Sequence, residues 1–413
     1  MSASEALGRT TISWNSVDGK IYVSESGRDE VLFADSPRGS QEVDWIGEAS
    51  SYDFRLYDSD RSKLLDRVIV TKATASNAVG RLSQLSELAH TKEQELWKIK
   101  LACRPKPFWY PYSTLQNVAI LEKLSAAAGF QLLELCRGMH GKVADIGAAD
   151  GDLAFFLERQ GLPVDIIDNE HTNFNALQGA RILKDALDSS VDIRSVDLDS
   201  QFSLAGQKYD AVFFLGTLYH LKNPFFLLES LARITKYCFV STRIAKQTAD
   251  GQSLSSYPVA YLVGPQECND DDTNFWIFSE HGLKRLIDQT GWKLLSYVAV
   301  GDTISSTPNH DERAFCLLEK RPPILTANPN PVPTSEDAGK TTIYWDTCDG
   351  TIGKVYASMK GDQETLFAHG RRGSAPAHWI ETGSNYEFHL YNSDHSELLA
   401  KVAVTTITQQ SMP

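Results

Sequence analysis

Hydrophobic positions recur along the chain with two different periods. Near both ends, short segments such as "TTISW" and "YEFHLY" alternate apolar and polar residues. A period of two predicts strands with one buried face. Between about residues 110 and 320, apolar runs such as "YDAVFFLG" alternate with segments of helical periodicity such as "PFFLLESLARIT". Strands that alternate with helices predict a parallel, doubly wound α/β sheet.

The two ends of the chain repeat each other. The segments Gly8–Lys20 and Gly339–Lys354 align, as do Glu30–Thr71 and Glu364–Thr405, and about half of the aligned positions are identical. Several short strands within so few residues predict a small all-β sandwich at each end. The pattern resembles the immunoglobulin-like or fibronectin-like modules appended to bacterial sugar-acting and methyl-transferring enzymes.

The repeats share four aromatic pairs. A small module has little core to bury, so we expect these rings to be structural, with a binding platform as the alternative. The pairs are Trp14/Trp345, Trp45/Trp379, Tyr52/Tyr386 and Phe54/Phe388.

The predicted organisation has five parts. A sandwich module at residues 1–74 is followed by a helical connector at 75–108, where Leu82, Leu85, Leu88, Ala89 and Leu96 have helix-like spacing. An α/β domain occupies 109–320, and a Pro-rich linker at 321–338 leads to the second module at 339–408. The last two strands of the α/β domain are joined without a helix, which predicts an antiparallel pair at one edge of its sheet.

Composition narrows the function classes. The chain has 413 residues, a net charge of −13 and no cluster of Lys and Arg, which disfavours nucleic acid as a partner without excluding a local basic patch. Its six cysteines form no C-x-x-C pair, and no group of residues has metal-ligand spacing, so we predict no metal. The start has no signal-peptide pattern, and no apolar run approaches the roughly 20 residues of a membrane span. We expect a cytoplasmic protein with no membrane partner, and a homodimer formed through the modules is one option.

The stretch "VADIGAADGD" follows a predicted strand. Ligands of an open α/β sheet bind at the carboxyl ends of strands, where glycines allow tight turns and close approach. Ala149 replaces the middle glycine of a dinucleotide fingerprint, and a carboxylate at Asp145 would repel a pyrophosphate. The spacing resembles motif I of S-adenosylmethionine-dependent methyltransferases, which implies a Rossmann-like, seven-stranded class I domain and S-adenosylmethionine as cofactor. The residues that the resemblance assigns to the cofactor are Asp145, Gly147, Ala148 and Gly151.

Acidic residues end the next two predicted strands. Asp168, about twenty residues after the glycines, suits the ribose hydroxyls. Asp197 and the backbone of Leu198 suit the adenine. Asp150 and Asp152 are either caps of the following helix or ligand contacts.

The fourth predicted strand ends in "LGTLYHLKNP". This segment resembles "G-x-L-Y-H-x-x-x-P" of the tRNA wobble-uridine 5-oxyacetate methyltransferase family, which uses carboxy-S-adenosylmethionine. The resemblance covers roughly residues 107–320. It implies that Leu215 contacts the cofactor and that Tyr219 contacts cofactor and substrate. Upstream, "PKPF" is similar to the family's K-G-P-F, which implies that Lys106 pairs the extra carboxylate.

The remaining candidates lie on the substrate side. His220 is either a general base for a hydroxyl acceptor, which its unperturbed pKa near 6.5 suits, or a residue that caps the strand-to-helix loop. Arg243 either pairs an anionic substrate or forms a surface ion pair. Tyr110, Asn274 and Trp276 are candidates for the pocket wall, with core packing as the alternative for Trp276.

Three functions follow from these features. The first is an O-directed methyltransferase that uses ordinary S-adenosylmethionine on a small-molecule or glycan-like substrate. The second is a tRNA-modifying enzyme, with carboxy-S-adenosylmethionine as the less favoured cofactor. The third is a multidomain binding protein without catalysis.

Overall fold

The structure is a computed structural model that describes the residues outside a set of short segments. These segments are 1–7, 17–18, 26–28, 37, 47–50, 62–63, 72–83, 105–107, 200–203, 205, 269–270, 302–305, 309–311, 335–337, 360–361 and 409–413. The chain divides into two compact units: the first comprises residues 1–227, 235–286 and 294–318, and the second comprises 228–234, 287–293 and 319–413.

The first unit begins with short antiparallel strands. They are β1 (Gly8–Asn15), β2 (Lys20–Glu25), β3 (Val31–Asp35), β4 (Arg38–Ile46), β5 (Ser51–Tyr57) and β6 (Leu64–Thr71). β1 pairs with β4, and the other strands form a sheet of order β3-β2-β5-β6. Side chains that alternate along these strands, including Ile12, Ile21 and Phe54, form one buried cluster.

The central strands of the first unit are longer apolar runs. They are β7 (Val143–Ile146), β8 (Val164–Asp168), β9 (Asp192–Ser195), β10 (Tyr209–Leu215), β11 (Thr235–Arg243), β12 (Ala260–Leu262), β13 (Trp276–Phe278), β14 (Trp292–Val300) and β15 (Arg313–Lys320). Seven of them form one sheet of order β14-β15-β11-β10-β7-β8-β9, in which β7 to β11 pair in parallel. This is the Rossmann-like sheet that the sequence predicts, with the last two strands at one edge. β12 and β13 form a separate hairpin-like pair.

Helices cover the parallel sheet. They are α1 (Gln84–Ala102), α2 (Val118–Ala127), α3 (Leu132–Leu135), α4 (Asp152–Arg159), α5 (Gln178–Leu187), α6 (Pro224–Ile234) and α7 (Glu280–Gln289), with short 3-10 turns at Thr114–Asn117 and Leu218–His220. Helices α2 and α3 are separated by a turn in which Gly129 has a φ of +86°. None of the helices that the structure describes is long and apolar enough to cross a membrane.

Helix α1 buries two residues of the predicted stripe, Ala89 and Leu96, together with two lysines. Leu88 is 44% exposed, whereas Ala89, Lys92, Leu96 and Lys100 are buried. These four positions are spaced by three or four residues and therefore share one side of the helix. Two lysines belong to this buried face, which a pattern of apolar residues alone could not indicate.

The second unit repeats the strand order of the first strands. Its strands are β16 (Ile324–Asn328), β17 (Val332–Thr334), β18 (Gly339–Asp346), β19 (Gly353–Met359), β20 (Thr365–Gly370), β21 (Arg372–Ile380), β22 (Tyr386–Tyr391), β23 (Leu398–Val404) and β24 (Thr406–Thr408). The sheet β20-β19-β22-β23 has the order of β3-β2-β5-β6, and β18 pairs with β21 as β1 pairs with β4. The immunoglobulin-like identity of these regions stays a prediction.

Two features of the repeats differ from expectation. The segment predicted to be a linker contributes β16 and β17, because Leu325 and Val332 are buried in the core of the second unit. The second difference concerns Trp45 and Trp379, which are 37% and 41% exposed although a core position was predicted for both.

Candidate functional site

A cavity of about 690 Å³ opens at the carboxyl ends of the parallel strands. Strand order reverses between β7 and β10, so their loops diverge and leave room for a ligand. Predicted site residues that line the cavity are Gly147, Asp168, Asp197, Leu198, Leu215, Tyr219, His220 and Tyr110. Sequence segments that are far apart in the chain therefore meet at one site.

The loop after β7 has an unusual backbone. Gly147, Ala149 and Gly151 have φ values of +71°, +56° and +83°. A Cβ atom at position 147 would lie 2.2 Å from Thr217 Oγ1, so only glycine fits between the loops that follow β7 and β10. Gly151 packs against Ile166, where a Cβ atom would lie 2.6 Å from Ile166 Cδ1. Both glycines allow close packing of the loop, but Gly147 lines the cavity whereas Gly151 is not among the lining residues that the structure describes.

Asp145 is a buried acid in the middle of the sheet. It is 2% exposed, and its Oδ2 atom accepts no hydrogen bond from the described residues. Burial raises the pKa of Asp145 to about 8, with a further contribution from the negative charge of Asp168. Asp145 is not among the described residues that line the cavity, so the structure does not place this predicted cofactor residue at the cavity surface.

Asp168 ends β8 at the cavity. Its carboxylate accepts hydrogen bonds from the backbone N–H groups of Ala149 (3.3 Å) and Asn169 (2.8 Å) and from Asn173 Nδ2 (3.0 Å). Burial raises the pKa of Asp168, and these hydrogen bonds oppose the shift. The side chain is therefore held in one orientation beside the glycine loop.

Asp197 lies just after β9, the next strand along the sheet. Asp197 Oδ1 accepts a hydrogen bond from the backbone N–H of Asp199 (2.9 Å), and both residues line the cavity with Leu198. Ala148 is buried behind the loop and does not line the cavity.

Asp150 and Asp152 are paired with a lysine. Lys100 Nζ lies 2.9 Å from Asp150 Oδ2 and 3.0 Å from Asp152 Oδ1, and all three side chains are buried. Neither acid lines the cavity. The alternatives of helix cap and ligand contact are thus replaced by a buried ion-pair cluster.

The opposite side of the cavity carries Tyr219 and His220 on the 3-10 turn after β10. His220 Nδ1 lies 2.8 Å from Thr273 Oγ1 and 3.9 Å from Asp271 Oδ2. Burial lowers the pKa of His220, and Asp271 opposes this shift only in part. The imidazole is therefore neutral at pH 7 and able to accept a proton.

Arg313 is a cavity residue that the sequence did not reveal. Its guanidinium carbon lies 5.7 Å from the centroid of the Tyr219 ring, and its Nη1 atom would lie 3.3 Å from a Cβ atom at Gly216. Arg313 begins β15, about a hundred residues after the β10 loop. Only the position of β15 beside β11 brings it to the site, so no local motif could have indicated it.

Of the other predicted substrate residues that the structure describes, Tyr110 alone lines the cavity. Its ring stacks on Phe174 at 4.9 Å. Arg243 is 1% exposed and Asn274 is 4% exposed, and neither they nor Trp276 are among the cavity-lining residues that the structure describes. Lys106 lies outside the described residues.

Some cavity residues come from the start of the chain. Arg55 and Tyr57 of β5 border the cavity, and both contact Glu30. Within the described ranges, no group of three or more His, Cys, Asp or Glu side chains is arranged to hold a metal ion.

Comparison with known proteins gives one family match. Residues 117–297, less than half of the chain, match a family model described as "Methyltransferase domain". No curated protein matches the chain.

Several solved structures are similar to parts of the chain. One is the N-terminal domain of EvdMO1 with SAH bound (17% identity, TM-score 0.35, 57% of this chain and 95% of that chain). Others are the PH0226 protein from Pyrococcus horikoshii OT3 (15%, 0.35, 51% and 96%) and the [4+2]-cyclase SpnF (14%, 0.36, 58% and 95%). TM-scores this low carry no argument about substrate or activity.

Proposed function

We propose that the central part of this chain, which matches a family model described as "Methyltransferase domain" over residues 117–297, is an S-adenosylmethionine-dependent methyltransferase that transfers a methyl group to an oxygen of a small-molecule or glycan-like acceptor. The observation that carries the proposal is the division of one cavity into an acidic side at Asp168 and Asp197 and a side with His220 and Arg313. The first side fits the cofactor, and the second fits an acceptor hydroxyl.

The acidic side fits each part of the cofactor. Asp168 is oriented by three hydrogen-bond donors, which suits acceptance from the two ribose hydroxyls. Asp145 does not line the cavity, but it has an unused acceptor atom, and we propose that the ammonium of the methionine end reaches it. Asp197 and the backbone of Leu198 line the part of the cavity left for the adenine.

When bound, S-adenosylmethionine supplies an electrophilic methyl carbon attached to a sulfonium. The main task of the protein is then alignment, which contributes on the order of 7–11 kcal/mol in well-oriented reactions. Leu215, at the end of β10, and Tyr219, on the 3-10 turn that follows, both line the cavity. They are the residues that we expect to orient the acceptor toward the cofactor side.

His220 is the proposed general base. A hydroxyl acceptor must lose its proton, and the neutral imidazole of His220 faces the cavity with Nδ1 held by Thr273. Its lowered pKa keeps the base unprotonated at neutral pH. We propose that Nε2, the other ring nitrogen, receives the acceptor proton.

The alternative acceptor is a tRNA wobble uridine. It is favoured by the position of the "GTLYH" segment at the cavity, because this segment carries the resemblance to the wobble-uridine family. The net charge of −13 disfavours it. A carboxylated cofactor belongs to this alternative.

Three measurements test the proposal. Isothermal titration with S-adenosylhomocysteine should show one site per chain, and absence of binding would remove both methyltransferase proposals in favour of a non-catalytic binding protein. Mass spectrometry of ligand that co-purifies with the protein distinguishes the ordinary from the carboxylated cofactor.

The acceptor is tested by transfer of labelled methyl groups. The substrates are a panel of methyl glycosides and small alcohols, with an unmodified tRNA transcript as the competing acceptor. Label in the glycosides or alcohols supports the proposal. Label in the tRNA alone, with binding that weakens steeply as salt increases, would replace it with the alternative.

A further inference from the structure

Helix α1 inserts a charged side chain beneath the cofactor side of the cavity. Lys100 is 2% exposed, and its ammonium lies between Asp150 and Asp152 with the rings of Trp97 and Trp109 each 5.5 Å away. Burial alone would lower the pKa of Lys100, but the two carboxylates outweigh burial and raise it. The lysine is therefore charged in the folded protein.

Asp150 connects Lys100 to the cavity wall. Its Oδ2 atom accepts a hydrogen bond from the backbone N–H of Tyr110 (3.1 Å) as well as from Lys100. Tyr110 lines the cavity, and its hydroxyl accepts a hydrogen bond from the backbone N–H of Phe174 (3.0 Å). The orientation of Asp150 thus determines where the Tyr110–Phe174 stack lies.

A second branch reaches the predicted ribose ligand. Asp150 Oδ1 accepts a hydrogen bond from Asn175 Nδ2 (2.8 Å), and the backbone N–H of Asn175 donates to Asn173 Oδ1 (3.1 Å). Asn173 Nδ2 in turn donates to Asp168 Oδ2 (3.0 Å). An unbroken series of hydrogen bonds therefore connects α1 with Asp168.

A buried ion pair is weak evidence for a purely stabilising role. Removing charged groups from water is costly, and well-packed apolar side chains at such positions are often equally stable or more so. Ion pairs and charge-assisted hydrogen bonds instead impose distance and direction. The ion pairs of Lys100 with Asp150 and Asp152 can orient the cavity wall in this way, because both series of hydrogen bonds that start at Asp150 end at residues that line the cavity.

We propose that Lys100 is a positioning residue for the cofactor: through Asp150 it holds the Tyr110–Phe174 wall and, through Asn175 and Asn173, the carboxylate of Asp168. The proposal rests on the proposed function in that the ligand of this wall is the methyl donor. It makes α1, which lies outside residues 117–297 of the family match, a working part of the cofactor site.

The test compares two buried lysines of the same helix. Lys100→Met alone leaves two buried carboxylates without their cation and is expected to unfold readily. Lys100→Met combined with Asp152→Asn keeps the net charge of the cluster and is the variant to measure. Lys92→Met is the matched control, because Lys92 is 5% exposed on the same face of α1 and pairs with Glu95, away from Asp150.

The first measurement is the affinity for S-adenosylhomocysteine well below the melting temperatures of all variants. We expect the double variant to bind about tenfold more weakly, the order of effect that the loss of one charge-assisted hydrogen bond has. The affinity of Lys92→Met for S-adenosylhomocysteine should stay within twofold of that of the unaltered protein, even if its melting temperature falls as far as that of the double variant. Equal affinity of the folded double variant and the unaltered protein would overturn the proposal.

The second measurement needs no ligand. Amide hydrogen exchange at Tyr110 and Phe174 should become at least several-fold faster in the double variant and stay unchanged in Lys92→Met, and restoring the cation with Lys100→Arg should recover part of the protection. Unchanged exchange at both amides contradicts the positioning role. If the unaltered protein shows the network in exchange but binds no S-adenosylhomocysteine, the proposed function fails instead.

Discussion

The two sides of the cavity are built in different ways. The cofactor side consists of residues at the ends of three neighbouring parallel strands, β7, β8 and β9, and their order in space follows their order in the chain. The acceptor side joins the turn after β10 to Arg313 at the start of β15 and to Thr273 in the loop before β13. The first side is local in the sequence, whereas the second depends on long-range packing.

The two sides also differ in their charged residues: Asp168 and Asp197 line the cofactor side, and Arg313 lines the acceptor side. Strand ends in an α/β sheet place acids beside backbone N–H groups of the following loops, as with Asp168 and Ala149. The acceptor side is reached by Arg313 from a strand that inserts between β11 and β14. Substitutions on one side should therefore change cofactor binding, and substitutions on the other should change acceptor use. The four tests below run from the largest expected effect to the smallest.

His220→Ala should have the largest effect. We expect the turnover number to fall by about 10²–10⁴-fold, the usual contribution of a general base, with little change in affinity for S-adenosylhomocysteine. Because burial lowers the pKa of His220, the activity of the unaltered protein should be constant at neutral pH and fall only below the ordinary imidazole value of about 6.5. Steady-state rates from pH 5 to 9 check both statements, with exposed His171→Ala as control. Full activity in His220→Ala would show that His220 only caps the strand-to-helix loop and is not the general base.

Asp168→Ala should weaken binding on the cofactor side of the cavity. Loss of hydrogen bonds between a carboxylate and the ribose hydroxyls costs about 1.5–3 kcal/mol, so S-adenosylhomocysteine should bind roughly 10–100-fold more weakly. Calorimetric titration measures the change, and Asp192→Ala on the exposed start of β9 serves as control. Unchanged affinity would show that Asp168 does not hold the ribose.

Arg313→Ala tests whether the acceptor side is separable. The KM for the acceptor found in the methylation screen should rise about tenfold, while the affinity for S-adenosylhomocysteine stays the same, because removal of one charged hydrogen-bond donor affects only the group it contacts. The exposed Arg285→Ala on α7 is the matched control. A loss of cofactor affinity instead of acceptor affinity would place Arg313 on the cofactor side.

Asp145 should make cofactor binding depend on pH. Its pKa of about 8 means that the acid is protonated at pH 7 in the free protein, and an ammonium beside it favours ionisation. Binding of S-adenosylhomocysteine should therefore release up to about one proton at pH 7, and affinity should rise by less than tenfold per pH unit up to pH 8.

Calorimetry at pH 7 in phosphate and Tris buffers measures this proton release from the difference in heat. Asp145→Asn should abolish the buffer dependence. Equal heats in both buffers for the unaltered protein would mean that Asp145 does not meet the cationic end.

The stability of the unligated protein should change with pH in the direction opposite to the affinity for the cofactor. Because folding raises the pKa of Asp145, its contribution to stability is fully present below the ordinary carboxyl value of about 3.9 and is lost as the pH rises through about 8. Between about pH 4 and pH 8, the affinity for the cofactor should thus rise while the stability of the free protein falls.

The residues of the proposed cofactor side could be predicted to lie together because their signals in the sequence are regularly spaced. Alternating strands and helices predicted the sheet, and the carboxyl end of each early strand could be identified from the apolar run before it. Gly147, Asp168 and Asp197 meet at the cavity for this reason. The acceptor side was found only at Tyr219 and His220, which directly follow a strand.

The remaining candidates for substrate contacts were predicted only from the order of segments in the chain. Asn274 and Trp276 lie near the site in the chain, but their side chains do not line the cavity. Arg243 is the last residue of β11, and its guanidinium donates a hydrogen bond to the carbonyl oxygen of Pro308 (3.2 Å) in the protein interior. The direction of a side chain at the end of a strand depends on register and packing, which spacing does not specify.

By itself, the sequence determined the repeat at the two ends, the order of strands and helices, and the glycine loop with the acids that follow it, because each depends on neighbours within a few residues. The tertiary structure alone decided that Lys100 pairs with Asp150 and Asp152, and that Arg313 reaches Tyr219. Both contacts join segments at least fifty residues apart. Their geometry results from how helices and strands pack, and the types of the residues do not encode that packing.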